Sequence, residues 1–148
     1  MELLEILFDK IDIKHGVDFV KKVSSNSEKI TKINSNIYPD LTVDNYQNFT
    51  FKSKDNGTVY FQFKNTQLFD YYFKYFEIII VIIENDIELN IWLDSEETKN
   101  IHLNDFILFC QEIAKDLNTP FYYCGIEPAY DKNTQFFSYL GINAQCCW

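Results

Sequence analysis

The chain is 148 residues long, with 47% hydrophobic and 24% charged residues and a formal net charge of −9. That length suits one domain burying roughly 70% of the surface its unfolded chain would expose, and the composition excludes a disordered chain. There is no arginine, so the bidentate fork that phosphate and base-edge recognition favours is missing, and nucleic acid is not an expected partner.

Leu3, Leu4, Ile6, Leu7 and Ile11 suit a short amphipathic helix, and Val17, Phe19, Val20 and Val23 suit a second after Gly16. Ser24 to Asn36 is polar and reads either as a linker or as a weak helix, with Ile30, Ile33 and Ile37 at helical spacing before Pro39 stops it. Phe49-Thr-Phe-Lys and Val59-Tyr-Phe-Gln-Phe then alternate on either side of Asp55-Asn56-Gly57, which predicts a β-hairpin. After an aromatic stretch from Phe69 to Phe76, a second hairpin pairs Ile78 to Ile83 with Ile87 to Leu93 across Asn85-Asp86. Its first strand is apolar on both faces and belongs in the middle of a covered sheet. Its partner alternates, with Ile87, Leu89, Ile91 and Leu93 on one face and Glu88, Asn90, Trp92 and Asp94 on the other.

Leu103, Phe106, Ile107, Cys110, Ile113, Ala114 and Leu117 form one helical stripe that would pack on the sheet. Pro120 opens a short strand, Phe121 to Ile126, which Glu127-Pro128 closes, and Gln135 to Leu140 is a candidate helix. The expected fold is a single α+β domain: an antiparallel or mixed sheet of about five strands, two hairpins plus a C-terminal strand, with helices mainly on one face.

The start, Met-Glu-Leu-Leu-Glu, lacks a basic n-region and a long apolar stretch, so a cytoplasmic location is expected. The most apolar run, Ile78 to Ile83, is far short of the roughly 20 residues a membrane helix needs. Cys110, Cys124, Cys146 and Cys147 read as free thiols, the last two as a reduced tail. With His15 and His102 they make no metal spacing; Cys110 lies on the apolar stripe, Cys124 is read as structural, His102 sits at a helix entry and His15 in a turn. Gly16, Gly57, Gly125 and Gly141 are too scattered for a phosphate-cradling loop. No cofactor, metal or catalytic residue is therefore assigned. Glu84, Asp86 and Glu88 crowd one hairpin end, which suits either a solvated turn or an acid/base or cation site.

What remains is a surface with binding character. The segment from Met1 to Lys74 balances ten acidic residues with ten lysines, whereas Tyr75 to Trp148 holds twelve acidic residues and three lysines, so the second half carries the whole −9. Aromatic residues reach 18%, more than one small core can hold, so some rings must lie at the surface. If the Leu103 helix covers the Ile87/Leu89/Ile91/Leu93 face, Trp92 is displayed on the opposite face between Glu88 and Asp94. Tyr60, Gln62 and Lys64 join it if the first hairpin pairs in register. The other reading makes Trp92 core beneath the N-terminal helices, and the sequence leaves both open.

Three segments, Ile91-Trp-Leu-Asp-Ser-Glu-Glu, the helix containing Leu103-Asn-Asp-Phe-Ile, and Tyr123-Cys-Gly-Ile-Glu-Pro, resemble bacterial toxin-immunity proteins of polymorphic or contact-dependent systems. The resemblance implies a one-to-one inhibitor that blocks a toxin enzyme, often a nuclease, and an acidic second half suits a basic partner. On the sequence the partner-binding candidates are Tyr60, Glu88, Trp92 and Asp94, with Glu96 and Glu97 steering. Two other classes remain: a small-ligand binder or enzyme using the second-hairpin carboxylates or a pocket of Tyr122, Tyr123 and Cys124, and a structural subunit that self-associates.

Overall fold

In the computed structural model, residues 1–146 and 148 are described. Among them eight strands form one sheet: β1 (Leu3–Ile11), β2 (Ser27–Ser35), β3 (Gly57–Leu68), β4 (Tyr71–Ile83), β5 (Asp86–Asp94), β6 (Tyr122–Ile126), β7 (Gln135–Ser138) and β8 (Gly141–Ile142). Their spatial order is β2-β3-β4-β5-β1-β6-β7-β8, and every neighbouring pair is antiparallel. The helices are α1 (Ile13–Ser25), the single turn α2 (Ser95–Thr98) and α3 (Leu103–Asp116), with a 3-10 turn at Tyr46–Asn48. No helix is long and apolar enough to cross a membrane among the described residues.

The sheet of about five strands expected from the sequence is therefore corrected to eight, four of them, β1, β2, β7 and β8, not expected as strands, and the first three have identifiable causes. Residues 3–11 form β1 and not a helix. Leu4, Ile6 and Phe8 alternate onto one face and Leu3, Glu5 and Leu7 onto the other, and because β1 sits between β5 and β6 even Glu5 is buried. A central strand apolar on both sides imitates helical spacing. In β2 the register shifts between Ile30 and Lys32, so Ile30 opposite Phe63 and Ile33 opposite Phe61 both turn towards the core. That irregularity converts period two into a spacing of three and made a strand look like a weak helix. The candidate helix at Gln135 to Leu140 is β7, whose close approach to β6 depends on Gly125: a Cβ there would lie 2.5 Å from the Thr134 carbonyl oxygen.

The first predicted hairpin is also corrected. Phe49 and Phe51 lie in a loop, where they cluster with Tyr38 at ring distances of 5.0 and 5.5 Å, and β3 pairs with β2 and β4 instead. Gly57 starts β3 at φ 152°, where a Cβ would meet Asn36 and Ile37 at 2.4 Å, so the glycine marks a crossing of segments and not a hairpin apex. The second hairpin forms, with its turn one residue earlier at Glu84-Asn85; both have positive φ, as a type I′ turn requires.

One face of the sheet carries the core. Ile78, Ile80 and Ile82 of β4, Ile87, Leu89, Ile91 and Leu93 of β5, and Leu4, Ile6 and Phe8 of β1 are buried with Phe19, Val20 and Val23 of α1 and Phe106, Phe109, Cys110 and Ile113 of α3. α1 is capped by Asp12, whose carboxylate accepts from the His15 amide at 2.8 Å and meets the His15 ring at 2.7 Å; His15 is thus a first-turn residue of the helix. Asp12 is held below its usual pKa chiefly by that amide bond. His102 occupies the position before α3 without a side-chain cap bond. Cys110 and Cys124 are buried in this core, and burial first, then the Cys110 contact, pushes the Cys124 thiol up, which disfavours the thiolate. Cys147 lies outside the described residues.

Candidate functional site

Because α1 and α3 pack on the same face, the opposite face is left without a helix. It presents Tyr60 and Gln62 from β3, Tyr75, Glu77, Ile79 and Val81 from β4, Glu88, Asn90 and Trp92 from β5, Glu5, Leu7 and Asp9 from β1, and Tyr123 from β6. Cross-strand rows fix its layout: Gln62, Glu77, Trp92, Glu5 and Gly125 lie in one row, and Tyr60, Ile79, Asn90, Leu7 and Tyr123 in the next. The 127–134 loop folds over its β1–β6 end, where Tyr130 packs on Tyr123 at 5.0 Å between ring centroids.

Three glutamates stand inside this face, and the fold treats them differently. Glu5 is 6% exposed, and its two oxygens accept from the Trp92 indole N–H at 2.7 Å and the Ala129 amide at 2.9 Å. Glu77, 4% exposed, accepts from the Tyr60 hydroxyl and from the Gln62 amide at 3.1 Å, with Tyr75 two residues away on the same face of β4. Burial first, and the neighbouring Glu77 second, drive the Tyr60 and Tyr75 pKa values far above their usual range, so both hydroxyls stay protonated. Glu88 has only Asn90 Nδ2 at a weak 3.5 Å, and among the described residues it has no ion pair. Burial raises its pKa, and the carboxylates of Asp9 and Glu5 add to the rise. Asn90 itself is 6% exposed, and its Oδ1 accepts no bond.

Of the residues singled out on the sequence, Tyr60, Glu88 and Trp92 share this face. Trp92 is half-buried and lies under neither α1 nor α3; the residues expected to form the first covering helix are β1, its neighbour in the sheet. Asp94, Glu96 and Glu97 are drawn into α2 instead. Asp94 caps it by accepting from the Glu96 amide at 3.0 Å, and Glu96 pairs with Lys99 at 2.7 Å, which lowers its pKa. Glu97 reaches back to accept from the consecutive amides of Lys74 and Tyr75 at 2.7 and 3.1 Å, where the alternation of β4 breaks. Glu5, Glu77 and Tyr75 were not singled out on the sequence. Glu5 was hidden by the helical reading of residues 3–11, and a cross-strand carboxylate cage leaves no local signal.

The ligand-pocket alternative loses its geometry. Tyr122 and Cys124 face the core while Tyr123 faces the open side, so they line no common pocket. Glu84, Asp86 and Glu88 also diverge: Glu84 sits in the turn, Asp86 faces Lys10 at 3.5 Å and Glu88 lies on the sheet. Among the described residues no three His, Cys, Asp or Glu side chains are grouped to hold a metal. A cleft of about 480 Å³ opens between the end of α3 and the start of β6, lined by Gln111, Lys115, Thr119 and Tyr122.

No curated protein matches the chain. Among solved structures, a chain of the 1.75 Å crystal structure of the toxic C-terminal tip of CdiA from Pseudomonas aeruginosa in complex with immune protein superposes with a TM-score of 0.71. The match covers 98% of this chain and 99% of that one at 19% identity, a likeness of fold. The model of the PABL017 Cdi1I immunity protein family matches residues 2–140. With nearly its whole length so matched, the chain belongs to the PABL017 Cdi1I immunity protein family.

Proposed function

We propose that this immunity protein acts in the cytoplasm by occluding a basic CdiA-type toxin tip with the open face of its sheet, and that it catalyses no reaction of its own. The observation that carries the reading is the asymmetry of the sheet. One face is filled by two helices, while the other displays a half-buried Trp92, Tyr60 and the aliphatic Ile79 and Val81 among Glu77, Glu88 and Glu5. Aromatic anchors supply buried area at an interface, and surrounding carboxylates steer a cationic partner. Of the lysines on this side, Lys29, Lys32 and Lys64 lie on β2 and β3, towards one edge of the sheet, and Lys10 is paired with Asp86.

The test is titration of the purified chain with CdiA C-terminal toxin tips, read by calorimetry and by protection of cells that express the toxin. A one-to-one complex whose association slows as salt rises supports the reading. Trp92→Ala should weaken that complex by more than about 2 kcal/mol while leaving the thermal unfolding cooperative. Equal affinity for wild type and variant would remove the open face from the interface.

A further inference from the structure

The glutamates of the open face differ in one respect that matters for a partner. Glu5 and Glu77 are each met by donors from the chain, whereas among the described residues Asn90 Oδ1 meets no donor and Glu88 meets only Asn90 Nδ2 at 3.5 Å. Asp9 lies alongside. Its Oδ1 takes the Lys10 amide at 2.9 Å, and its Oδ2 has only the Tyr130 hydroxyl at 3.4 Å. The nearby Lys10 ammonium is turned to Asp86 at 3.5 Å. Two rings border the spot: Tyr123, two strands from Asn90 in the same row, and Tyr130, 5.0 Å from Tyr123 and 49% exposed. Burial, and then the charges of Asp9 and Glu88, raise the Tyr130 pKa, so it remains a neutral ring.

A buried amide oxygen without a donor costs free energy, and so does a half-buried carboxylate beside other carboxylates. A complementary group must therefore bring both positive charge and several donors in one plane, and it gains further from an aromatic surface. A guanidinium meets all three requirements; an ammonium is a point charge with a tighter hydration shell. Resting on the reading that the open face binds the toxin, we propose that Glu88, Asn90 and Asp9, walled by Tyr130 and Tyr123, form a subsite for one arginine side chain of the toxin. The guanidinium bridges Glu88 and Asp9. Asn90 turns about its soft terminal torsion, withdrawing Nδ2 from Glu88 and presenting Oδ1 to the incoming N–H.

The experiment uses the intact chain with two probes. In the first arm, N-acetyl-arginine amide is titrated into labelled protein and followed by NMR. Saturable shifts confined to Glu88, Asn90, Tyr123 and Tyr130 are expected, with a dissociation constant on the order of 10 mM. They should vanish in Glu88→Gln, and the isosteric, uncharged citrulline amide should produce none. An N-acetyl-lysine amide that binds as well as the arginine probe, or no saturable shift from arginine, overturns the subsite. In the second arm, Glu88→Gln is titrated with the toxin tip that wild type binds, and at least a tenfold loss of affinity is expected, a change of about 1.4 kcal/mol. Wild-type affinity for the toxin in that variant overturns the subsite while the proposed function stands. Arginine binding by a chain that binds no toxin tip removes the proposed function and leaves a guanidinium site whose assignment to the toxin is overturned.

Discussion

Alternate residues of β4 belong to two different environments. Ile78, Ile80 and Ile82 are fully buried beneath the helices, while Ile79 and Val81 stay partly exposed between Tyr60 and Thr58 on β3 and Asn90 and Glu88 on β5. The packed face is mainly apolar, with a buried Thr66 bonded to Ser27 at 2.8 Å, and its aromatic rings interlock, as with Phe106 and Phe109 at 5.3 Å. On the open face carboxylates are interspersed with rings and held in place by hydrogen bonds. A strand that is apolar on both sides does not require cover on both sides. One side folds the protein, and the other can be kept for a partner because its polar groups are largely satisfied without one.

Each face can be perturbed separately, which tests whether stability and recognition are divided as the contrast suggests. The largest effect on folding is expected from Phe106→Ala, which empties a fully buried site and should cost about 3–5 kcal/mol in denaturant unfolding. A loss below about 1 kcal/mol would mean that the packed face is not the core. Glu5→Ala removes the acceptor for Trp92 and Ala129 and should cost about 1–3 kcal/mol, because two donors lose their partner. If Glu5→Ala instead leaves stability unchanged but abolishes toxin binding, that carboxylate belongs to recognition. Glu97→Ala, which frees the amides of Lys74 and Tyr75, should cost about 1 kcal/mol and leave affinity for the toxin intact.

Glu88 should give the smallest effect and the opposite sign. In the unfolded chain its carboxyl titrates near 4.5, and in the folded chain the pKa is higher. Between those values the folded state holds more protons, so stability falls as pH rises through the window, and the ionised side chain is a net cost at neutral pH. Half-exposure to solvent keeps that cost small. Glu88→Gln should therefore match or slightly exceed wild type in melting temperature at pH 7 and lose the advantage below pH 4.5. A clear drop in melting temperature at pH 7 would show that Glu88 supports the fold.

Chain-local signals survived into the structure. The stripe from Leu103 to Leu117 is α3 with its C-cap, the alternation of Ile87 to Leu93 is β5, and Phe121 to Ile126 matches β6 to within a residue. Each reports a segment whose burial repeats at a regular period. Irregularity defeated the other readings: the register shift in β2, the two-sided burial of β1, and a Gly57 whose purpose is the nearby passage of Asn36 and Ile37. The candidate site was legible in the same measure. Alternation within β5 was enough to put Glu88 and Trp92 together, but Asp94, Glu96 and Glu97 looked like free charges until α2 and the break in β4 engaged them.

By itself the sequence determined the acidic second half, the surplus of aromatic rings and the segments with a clean period, because these depend on composition and on neighbours within a few residues. Only the tertiary structure decided which carboxylates are satisfied and which are not. Glu5 meets Trp92 and Ala129 at separations of 87 and 124 residues, and Glu77 meets Tyr60 across a hairpin. Such partners are brought together by strand order and register, which set the spacing between side chains on a sheet face and are fixed by the packing of the whole core.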